Sequence, residues 1–263
     1  MTHTNINGAE LFHELQGSGE PFVCIHGLQG DATNFATLAA ALGRDFTVLT
    51  FDQRGSGRSE KPDEPYSLQQ LADDTAALIE AVGFDSAFVF GVSMGGMIAQ
   101  ELALRHPEKV RRLVLGCTTA GGHHAIPPSR DTMDYVYTKE PLSAEERTRR
   151  FTECCFTAPW LSAHPEVVER LLEARRQLPL DPDALARRRE ALSAHDTWDR
   201  LPSIRQPTLV ITGKPDRIIP EANSRLLADR LPNAELLELE PSGHLFWIER
   251  ERDTLEALRR FLL

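Results

Sequence analysis

The chain has 263 residues, 41% of them hydrophobic, which is enough to bury roughly three quarters of the unfolded surface in a folded domain. Its 29 basic and 39 acidic side chains give a formal net charge of −10, which repels phosphate backbones and anionic lipids and excludes a general nucleic-acid binder. The apolar runs are far shorter than the ~20 residues of a membrane-spanning helix. The first twenty residues lack the pattern of a secretory signal, so we expect a soluble, cytoplasmic protein with no membrane partner.

The first half of the chain predicts a sheet with helices on both faces. Asn7-Gly8 is typical of a two-residue hairpin turn, so the sheet should open with an antiparallel pair. Residues 67–82 have apolar positions at helical spacing, with Ser67 and Gln70 predicted as a capping box and Gly83 as the stop. Runs that are apolar at consecutive positions predict strands covered on both faces, at 22–26, 46–51, 87–91, 113–116 and 208–213. The order of strand, helix and strand predicts an α/β fold with a mostly parallel, doubly wound sheet.

The strand pattern fails in the second half of the chain. A Gly/Pro-rich hinge at 121–131 is followed by segments that fit short helices, at 143–156, 165–178 and 182–195. We therefore divide the chain into a first core part (1–117), a helical cap (118–206) and a second core part (207–263). The cap is expected over the carboxyl ends of the strands, where such sheets bind ligands. A peripheral stabilising bundle is the alternative.

Arginines and glutamates alternate in the predicted cap. This pattern predicts solvated helix faces with ion pairs that contribute little to stability. An inward arginine that binds a substrate carboxylate is the alternative. The residues are Arg147, Arg149, Arg150, Arg175, Arg176, Arg187, Arg188, Arg189, Glu145, Glu146, Glu173 and Glu190.

Cysteines and histidines give little support for a disulfide or a metal site. The four cysteines, Cys24, Cys117, Cys154 and Cys155, are predicted to be small buried hydrophobes. The sequence contains neither a CxxC nor an HExxH pattern, and the adjacent His123 and His124 have no suitably spaced carboxylate. We expect no metal, and assign this histidine pair to the hinge.

One serine lies in a sequence pattern that is typical of a nucleophile. Residues 91–96, GVSMGG, follow the predicted strand at 87–90 and precede a helix-forming run. A GxSxG pattern between a strand and a helix predicts a serine on a tight, strained turn, where side chains at Gly91 and Gly95 would collide. Ser93 would then face the helix N-terminus, whose dipole and N–H groups favour a developing oxyanion.

A serine hydroxyl needs a base to become a nucleophile, and a carboxylate to orient that base. His244 ends the sequence PSGH after a strand-like run, and Asp216 ends GKPD directly after the strand at 208–212. The chain order of serine, aspartate and histidine is the one expected for this type of turn. Asp199 is the alternative acid, although it does not directly follow a strand.

Four motifs occur together, and they resemble the α/β-hydrolase superfamily from residue 8 to the end of the chain, except in the middle. They are HGLQG at 26–30, DQRGSGRS at 52–59, GVSMGG at 91–96, and the loops of Asp216 and His244. The resemblance implies the α/β-hydrolase fold, with Ser93 as nucleophile, His244 as base and Asp216 as orienting acid. It also implies an oxyanion hole made by the backbone N–H groups of Leu28 and Met94. Residues 91–115 are most similar to the carboxylesterase and 3-oxoadipate enol-lactonase branch.

We therefore expect a serine hydrolase, without cofactor or metal, that cleaves a small carboxylic ester or lactone through an acyl-enzyme on Ser93. Phe156, Trp160 and Trp198 are predicted to contact either the cap's own core or the substrate. One alternative is a C–C bond hydrolase or perhydrolase with the same triad, although HGLQG lacks the proline-glycine ending of ring-fission hydrolases. Another is a receptor-like protein that senses a ligand with little turnover. The sequence does not predict the oligomeric state.

Overall fold

The computed structural model describes residues 2–136, 138 and 140–263, which form one eight-stranded sheet and eleven α-helices. The strands are β1 (Thr2–Ile6), β2 (Ala9–Gly17), β3 (Glu20–Ile25), β4 (Phe46–Phe51), β5 (Ala87–Val92), β6 (Val110–Gly116), β7 (Thr208–Gly213) and β8 (Ala234–Leu239). The helices are α1 (Ala36–Leu42), α2 (Leu68–Ala81), α3 (Met94–Arg105), α4 (Arg130–Val136), α5 (Ala144–Cys154), α6 (Ala158–Ala163), α7 (Pro165–Gln177), α8 (Pro182–Ser193), α9 (Ala222–Arg230), α10 (Phe246–Glu249) and α11 (Glu251–Leu262). None of these helices is long and apolar enough to cross a bilayer.

The strand order is β1-β2-β4-β3-β5-β6-β7-β8. β1 and β2 pair antiparallel, as do β2 and β4, and all other neighbours are parallel. Asn7 and Gly8 turn the first hairpin with φ values of 49° and 81°, as a type I′ turn requires. The predicted α/β fold with a mostly parallel sheet is thus confirmed.

Two apolar layers cover the sheet, one on each face. On one face α2, α3 and α9 pack against the strands through residues such as Leu71, Ile98 and Leu227. On the other face α1, α10 and α11 contribute residues such as Leu38 and Leu258. Every residue of β5 and β7 is buried. Both strands are therefore covered on both faces, which explains their continuous apolar sequence.

The start of α2 differs from the predicted capping box. The Ser67 side chain accepts the Gln70 N–H at 3.2 Å, as expected. The Gln70 side chain, however, donates to Asp74 at 3.1 Å instead of returning to the Ser67 backbone. The Asp74 carboxylate also accepts from Arg54, and as a charged acceptor it takes the Gln70 amide N–H. The helix ends as predicted, at Gly83 with a φ of 86°.

Helices α4 to α8 all lie between β6 and β7, in residues 118–206, which we call the cap segment. α5, α7 and α8 match the predicted helices, whereas α4 and α6 were not predicted. An isolated bridge pairs Gly121 with Asp196 where the segment leaves the sheet and returns to it. Cys154 and Cys155 are buried in a small apolar cluster of the segment, and all four cysteines are free and buried, as expected.

Candidate active site

Five neighbouring strands bring their carboxyl ends to one edge of the sheet. β3, β5, β6, β7 and β8 are parallel and adjacent in this order, so the loops that follow them lie side by side. The loop 26–30 follows β3, Ser93 follows β5, Asp216 follows β7 and His244 follows β8. The fold thus brings the four segments singled out in the sequence to the same edge.

Ser93 occupies a strained turn between β5 and α3, with a φ of 55° and a ψ of −124°. A Cβ on Gly91 would lie 2.3 Å from Gly95 O, and a Cβ on Gly95 would lie 2.0 Å from Ile25 O. Neither backbone oxygen can move far, so both positions require glycine. The close approach of strand and helix leaves Ser93 half-buried at the edge of the sheet.

Hydrogen bonds to the end of β6 hold the serine turn in place. The Ser93 N–H donates to Gly116 O at 2.9 Å, and Thr118 Oγ1 donates to Ser93 O at 2.7 Å. Cys117 lies between these two partners and has a φ of 40°. The serine turn and the loop after β6 therefore form one hydrogen-bonded unit.

Asp216 and His244 form a buried pair, with His244 Nδ1 2.7 Å from Asp216 Oδ2. The other carboxylate oxygen accepts the N–H groups of Ile218 at 2.8 Å and Ile219 at 2.9 Å. Because both oxygens are held, the carboxylate fixes the orientation of the imidazole. It accepts the Nδ1 proton and leaves Nε2 as the basic nitrogen.

The charge on Asp216 sets the basicity of His244. Burial disfavours the imidazolium, but the charge and hydrogen bond of Asp216, together with the contact to Cys117, outweigh burial and hold the pKa of His244 well above its usual range. The imidazole is therefore a stronger base than a free histidine.

Cys117 lies beside this pair, although it was not predicted as a site residue. Its Sγ and the nearest ligand atoms of Asp216 and His244 all lie within 4.8 Å of one another. Such donors can bind zinc, but two ligands at about 2.0 Å from a tetrahedral zinc ion lie about 3.3 Å apart. Asp216 and His244 are closer, at 2.7 Å, so they form a hydrogen-bonded pair. Burial raises the pKa of the Cys117 thiol, which stays neutral.

Ser93 and His244 are both neighbours of Cys117, but among the described residues no hydrogen bond joins Ser93 Oγ to the imidazole. Catalytic hydrogen bonds are often long or poorly aligned until a substrate binds. The structure therefore brings the predicted acid and base into contact and places the predicted nucleophile at the same edge.

The loop 26–30 passes directly over Ser93. A Cβ on Gly27 would lie 3.2 Å from Ser93 Cβ and 3.5 Å from its Oγ. Among the hydrogen bonds of the described ranges, the N–H groups of Leu28 and Met94 have no acceptor. Two unpaired backbone donors beside a serine are what an oxyanion hole needs.

His26 supports this loop from below. The Gln53 N–H donates to His26 Nε2 at 3.2 Å, so Nδ1 carries the proton and donates to Gly27 O at 2.9 Å. Burial lowers the pKa of His26 to about 4, and the imidazole is neutral. The motif at 52–59 has a similar supporting role, since Ser56 Oγ donates to Gly30 O at 2.6 Å.

Glu249 joins the histidine loop to the cap segment. Its carboxylate accepts the Gly243 N–H at 2.8 Å and the Thr157 N–H at 3.3 Å, and the Thr157 hydroxyl also donates to it. The Leu245 N–H donates to Cys155 O at 3.0 Å. The position of His244 is therefore tied to the cap segment.

The three predicted pocket residues are divided between two places. Phe156 and Trp160 stack with ring centroids 4.8 Å apart and pack with Ile218, two residues after Asp216 in the chain. Trp198 stacks on His124 at 4.1 Å instead and lies under the Arg230 guanidinium. The aromatic pair thus adjoins the acid loop, and Trp198 packs at the hinge.

Two other sequence candidates lie elsewhere. The Asp199 side chain is 95% exposed and faces Arg230 at 3.9 Å, so it does not share the buried pair with His244. The rings of His123 and His124 are tilted by 41° with centroids 3.8 Å apart, so the pair packs against itself.

The prediction of solvated arginine faces is wrong for Arg188, which is only 1% exposed. Its guanidinium turns into the core and donates to backbone carbonyls. Arg175 is half-buried and donates to Gln29 O. The helix α8 packs on the loops of the core, and arginine periodicity could not show which face does so.

Comparisons with known proteins identify the family to which this fold belongs. The sequence model of the family described as "alpha/beta hydrolase fold" matches residues 20–251. The chain is 29% identical to the "putative carbamate hydrolase RutD" of Azorhizobium caulinodans, over 94% of this chain and 92% of the relative.

Two solved structures are similar over the whole chain. The enol-lactonase from Burkholderia xenovorans LB400 has a TM-score of 0.87 and 28% identity, with 99% of both chains covered. Est816, titled an N-acyl homoserine lactone degrading enzyme, has a TM-score of 0.85 and 29% identity, with 99% of this chain and 100% of that chain covered. The resemblance inferred from the motifs is confirmed: the chain belongs to the α/β-hydrolase fold family and is a hydrolase of that fold.

Proposed function

We propose that the chain is a serine hydrolase that cleaves a carboxylic ester or a lactone through an acyl-enzyme on Ser93. The observation that carries this proposal is the buried 2.7 Å hydrogen bond between Asp216 and His244, at the sheet edge that also holds the strained Ser93 turn. An imidazole that a carboxylate fixes through Nδ1 presents Nε2 as a general base.

The reaction proceeds in two acyl-transfer steps. Ser93 Oγ transfers its proton to His244 Nε2 and attacks the substrate carbonyl carbon, while the N–H groups of Leu28 and Met94 donate to the oxyanion. The imidazolium, stabilised by Asp216, protonates the leaving alkoxide. His244 then takes a proton from water, which attacks the acyl-enzyme and releases the acid with Ser93 restored. These steps need no metal and no cofactor.

The names of the relatives support an acyl substrate but differ in its class. One similar structure is an enol-lactonase and another degrades N-acyl homoserine lactones, whereas the sequence relative is named for carbamates. All three substrate types undergo attack at a carbonyl carbon. We propose the cap segment 118–206 as the wall of the acyl pocket, with Phe156 and Trp160 as its apolar contacts and Trp198 as a packing residue of the hinge.

The proposal is tested by labelling and turnover together. A fluorophosphonate should label the wild-type protein and Ser203→Ala, an exposed serine chosen as control, but not Ser93→Ala. Protection from the label by lactones, methyl esters, carbamates and β-diketones then gives the substrate class. Full turnover by Ser93→Ala would exclude the acyl-enzyme.

The same experiment separates the alternatives. In a receptor-like protein, a bound ligand would protect Ser93 from the label, but p-nitrophenyl esters would not undergo multiple turnover. Protection and turnover by β-diketones alone would indicate C–C bond hydrolysis with the same three residues.

A further inference from the structure

Arg188 connects the cap segment to the loops beneath it. Its Nε donates to Leu28 O at 3.1 Å and its Nη2 to Gly27 O at 3.1 Å. The same guanidinium donates to Arg54 O at 3.3 Å and to Gln53 Oε1 at 3.0 Å. One side chain of α8 therefore holds both the loop after β3 and the loop after β4.

These contacts involve a buried charge that has no ionic partner in hydrogen-bonding range among the residues that the structure describes. Burial lowers the pKa of Arg188 to about 10, so the side chain is still a cation at neutral pH. Its four acceptors are three backbone carbonyls and one side-chain amide oxygen. Burying a charge is costly unless hydrogen bonds compensate for it. An apolar residue would fill this place at less cost, so the cation needs an explanation beyond packing.

The explanation lies in the peptide unit that Arg188 holds. Gly27 C=O and Leu28 N–H belong to the same planar, trans peptide, so they point in opposite directions. A donor that fixes the carbonyl oxygen thereby fixes the direction of the N–H. That peptide lies over Ser93, because a Cβ on Gly27 would be 3.5 Å from Ser93 Oγ.

Arg188 is the charged member of a set of donors to this carbonyl. Gly27 O also accepts from His26 Nδ1 at 2.9 Å and from the Gly30 N–H at 3.1 Å. The imidazole is neutral, so only the guanidinium adds a charge-assisted hydrogen bond, which is stronger and polarises the peptide. A polarised peptide is a better donor through its N–H.

We infer that Arg188 is a positioning residue of the oxyanion hole, which holds the Gly27–Leu28 peptide with its N–H directed at the carbonyl oxygen of a substrate on Ser93. This inference rests on the proposed function, since it assigns a task within the same reaction. Docking of α8 on the core and completion of the oxyanion hole are then a single event. The cap segment contributes to transition-state stabilisation as well as to the pocket.

The test compares Arg188→Met with Arg189→Met, the same substitution at the exposed neighbour on α8. Removing an oxyanion donor costs about 10²- to 10³-fold in kcat, and a misdirected donor retains part of its effect. We expect Arg188→Met to lower kcat for p-nitrophenyl butyrate about 10- to 100-fold, with KM within about twofold, and Arg189→Met to match wild type.

Inhibitor binding distinguishes positioning from a purely structural role. A trifluoromethyl ketone forms an oxyanion adduct on the serine, so its Ki should rise in Arg188→Met by the same factor as kcat falls. The Ki of butyrate, which forms no such adduct, should stay near the wild-type value. Equal losses for both inhibitors, or an unchanged kcat in a folded variant, would overturn the inference.

A second variant covers the case in which Arg188→Met does not fold. Arg188→Lys keeps the charge and most of the side-chain length, but its single ammonium cannot reach both Gly27 O and Arg54 O in the fork geometry of a guanidinium. It should fold, by circular dichroism and melting temperature, and show the same selective loss for the ketone. Fluorophosphonate labelling of Ser93 is the independent check. If wild type is labelled and turns over substrate, and Arg188→Lys behaves in the same way, only the role of Arg188 is refuted. If wild type is not labelled, the proposed function is refuted.

Discussion

Asp216→Asn changes one atom of the candidate triad and reverses one hydrogen bond. The asparagine oxygen can still accept the N–H groups of Ile218 and Ile219, which lie 2.8 and 2.9 Å from the aspartate oxygen. The amide NH₂ then occupies the place of the oxygen that is 2.7 Å from His244 Nδ1. Since two donors cannot share that distance, the imidazole must take the other tautomer, with Nδ1 accepting and the proton on Nε2.

In that tautomer Nε2 cannot take the proton of Ser93. Loss of the correct tautomer in a serine triad lowers kcat about 10⁴-fold, which corresponds to about 5.5 kcal/mol of transition-state stabilisation. The pH dependence should change as well. Without the carboxylate, burial still disfavours the imidazolium and only the neighbouring Cys117 favours it, so the pKa of the imidazole should fall from its wild-type value.

The assay is steady-state hydrolysis of p-nitrophenyl butyrate from pH 5 to 9, with the fold checked by circular dichroism. Asp199→Asn is the matched control, because Asp199 is the alternative acid in the sequence and its side chain is 95% exposed. The control should retain wild-type kcat. A loss of less than tenfold in Asp216→Asn, or a large loss in Asp199→Asn, would refute the assignment of the acid.

Three further predictions follow from the same structure. In wild type, kcat/KM should rise with pH through an apparent pKa above about 6.5, because Asp216 favours the imidazolium; a profile flat from pH 5 to 9 would contradict a histidine base. Burial lowers the pKa of His195 to about 4 in the folded protein. The unfolded chain therefore binds a proton at higher pH than the folded protein does, and stability is lost as pH falls from about 6.5 towards 4. In urea titrations, the free energy of unfolding of His195→Phe should decrease between pH 8 and 5 by about 2 kcal/mol less than that of wild type. An equal decrease would exclude His195 as a source of the pH dependence. Gly95→Ala places a methyl group 2.0 Å from Ile25 O, so it should destabilise the fold by about 3 kcal/mol or more in the same titrations, and a wild-type midpoint would show that the turn can relax.

The sequence predicts those parts of the site that depend on local backbone geometry. Gly91 and Gly95 are readable because strand and helix approach so closely that a Cβ would collide with backbone oxygen. The proximity of Asp216 and His244 can be predicted from the sequence because each follows a strand, and parallel strands bring their carboxyl ends to one edge of the sheet. The chemistry of these positions is encoded within a few residues of each.

The parts that depend on packing between distant segments are not readable in this way. Arg188 stands among other arginines, and only the docking of α8 on the loop 26–30 shows that it turns inward. Trp198 and Phe156 are both aromatic residues of the cap segment, yet one packs at the hinge and the other beside the acid loop. The same holds for Cys117. The sequence indicates a small buried residue, and only the position of β8 in the folded sheet brings His244 close to its sulfur.

Two of the contacts that anchor the cap segment limit how such proteins can be recombined. At one of them Glu249 binds Thr157 and the loop of His244, and at the other Arg188 binds the carbonyls of the loop 26–30. A chimera that exchanges residues 118–206 for those of another hydrolase would keep Glu249 but lose the guanidinium. Exchange of substrate preference by grafting this segment would therefore require an arginine at the position of Arg188 in the donor sequence, whatever aromatic residues the graft brings to its pocket.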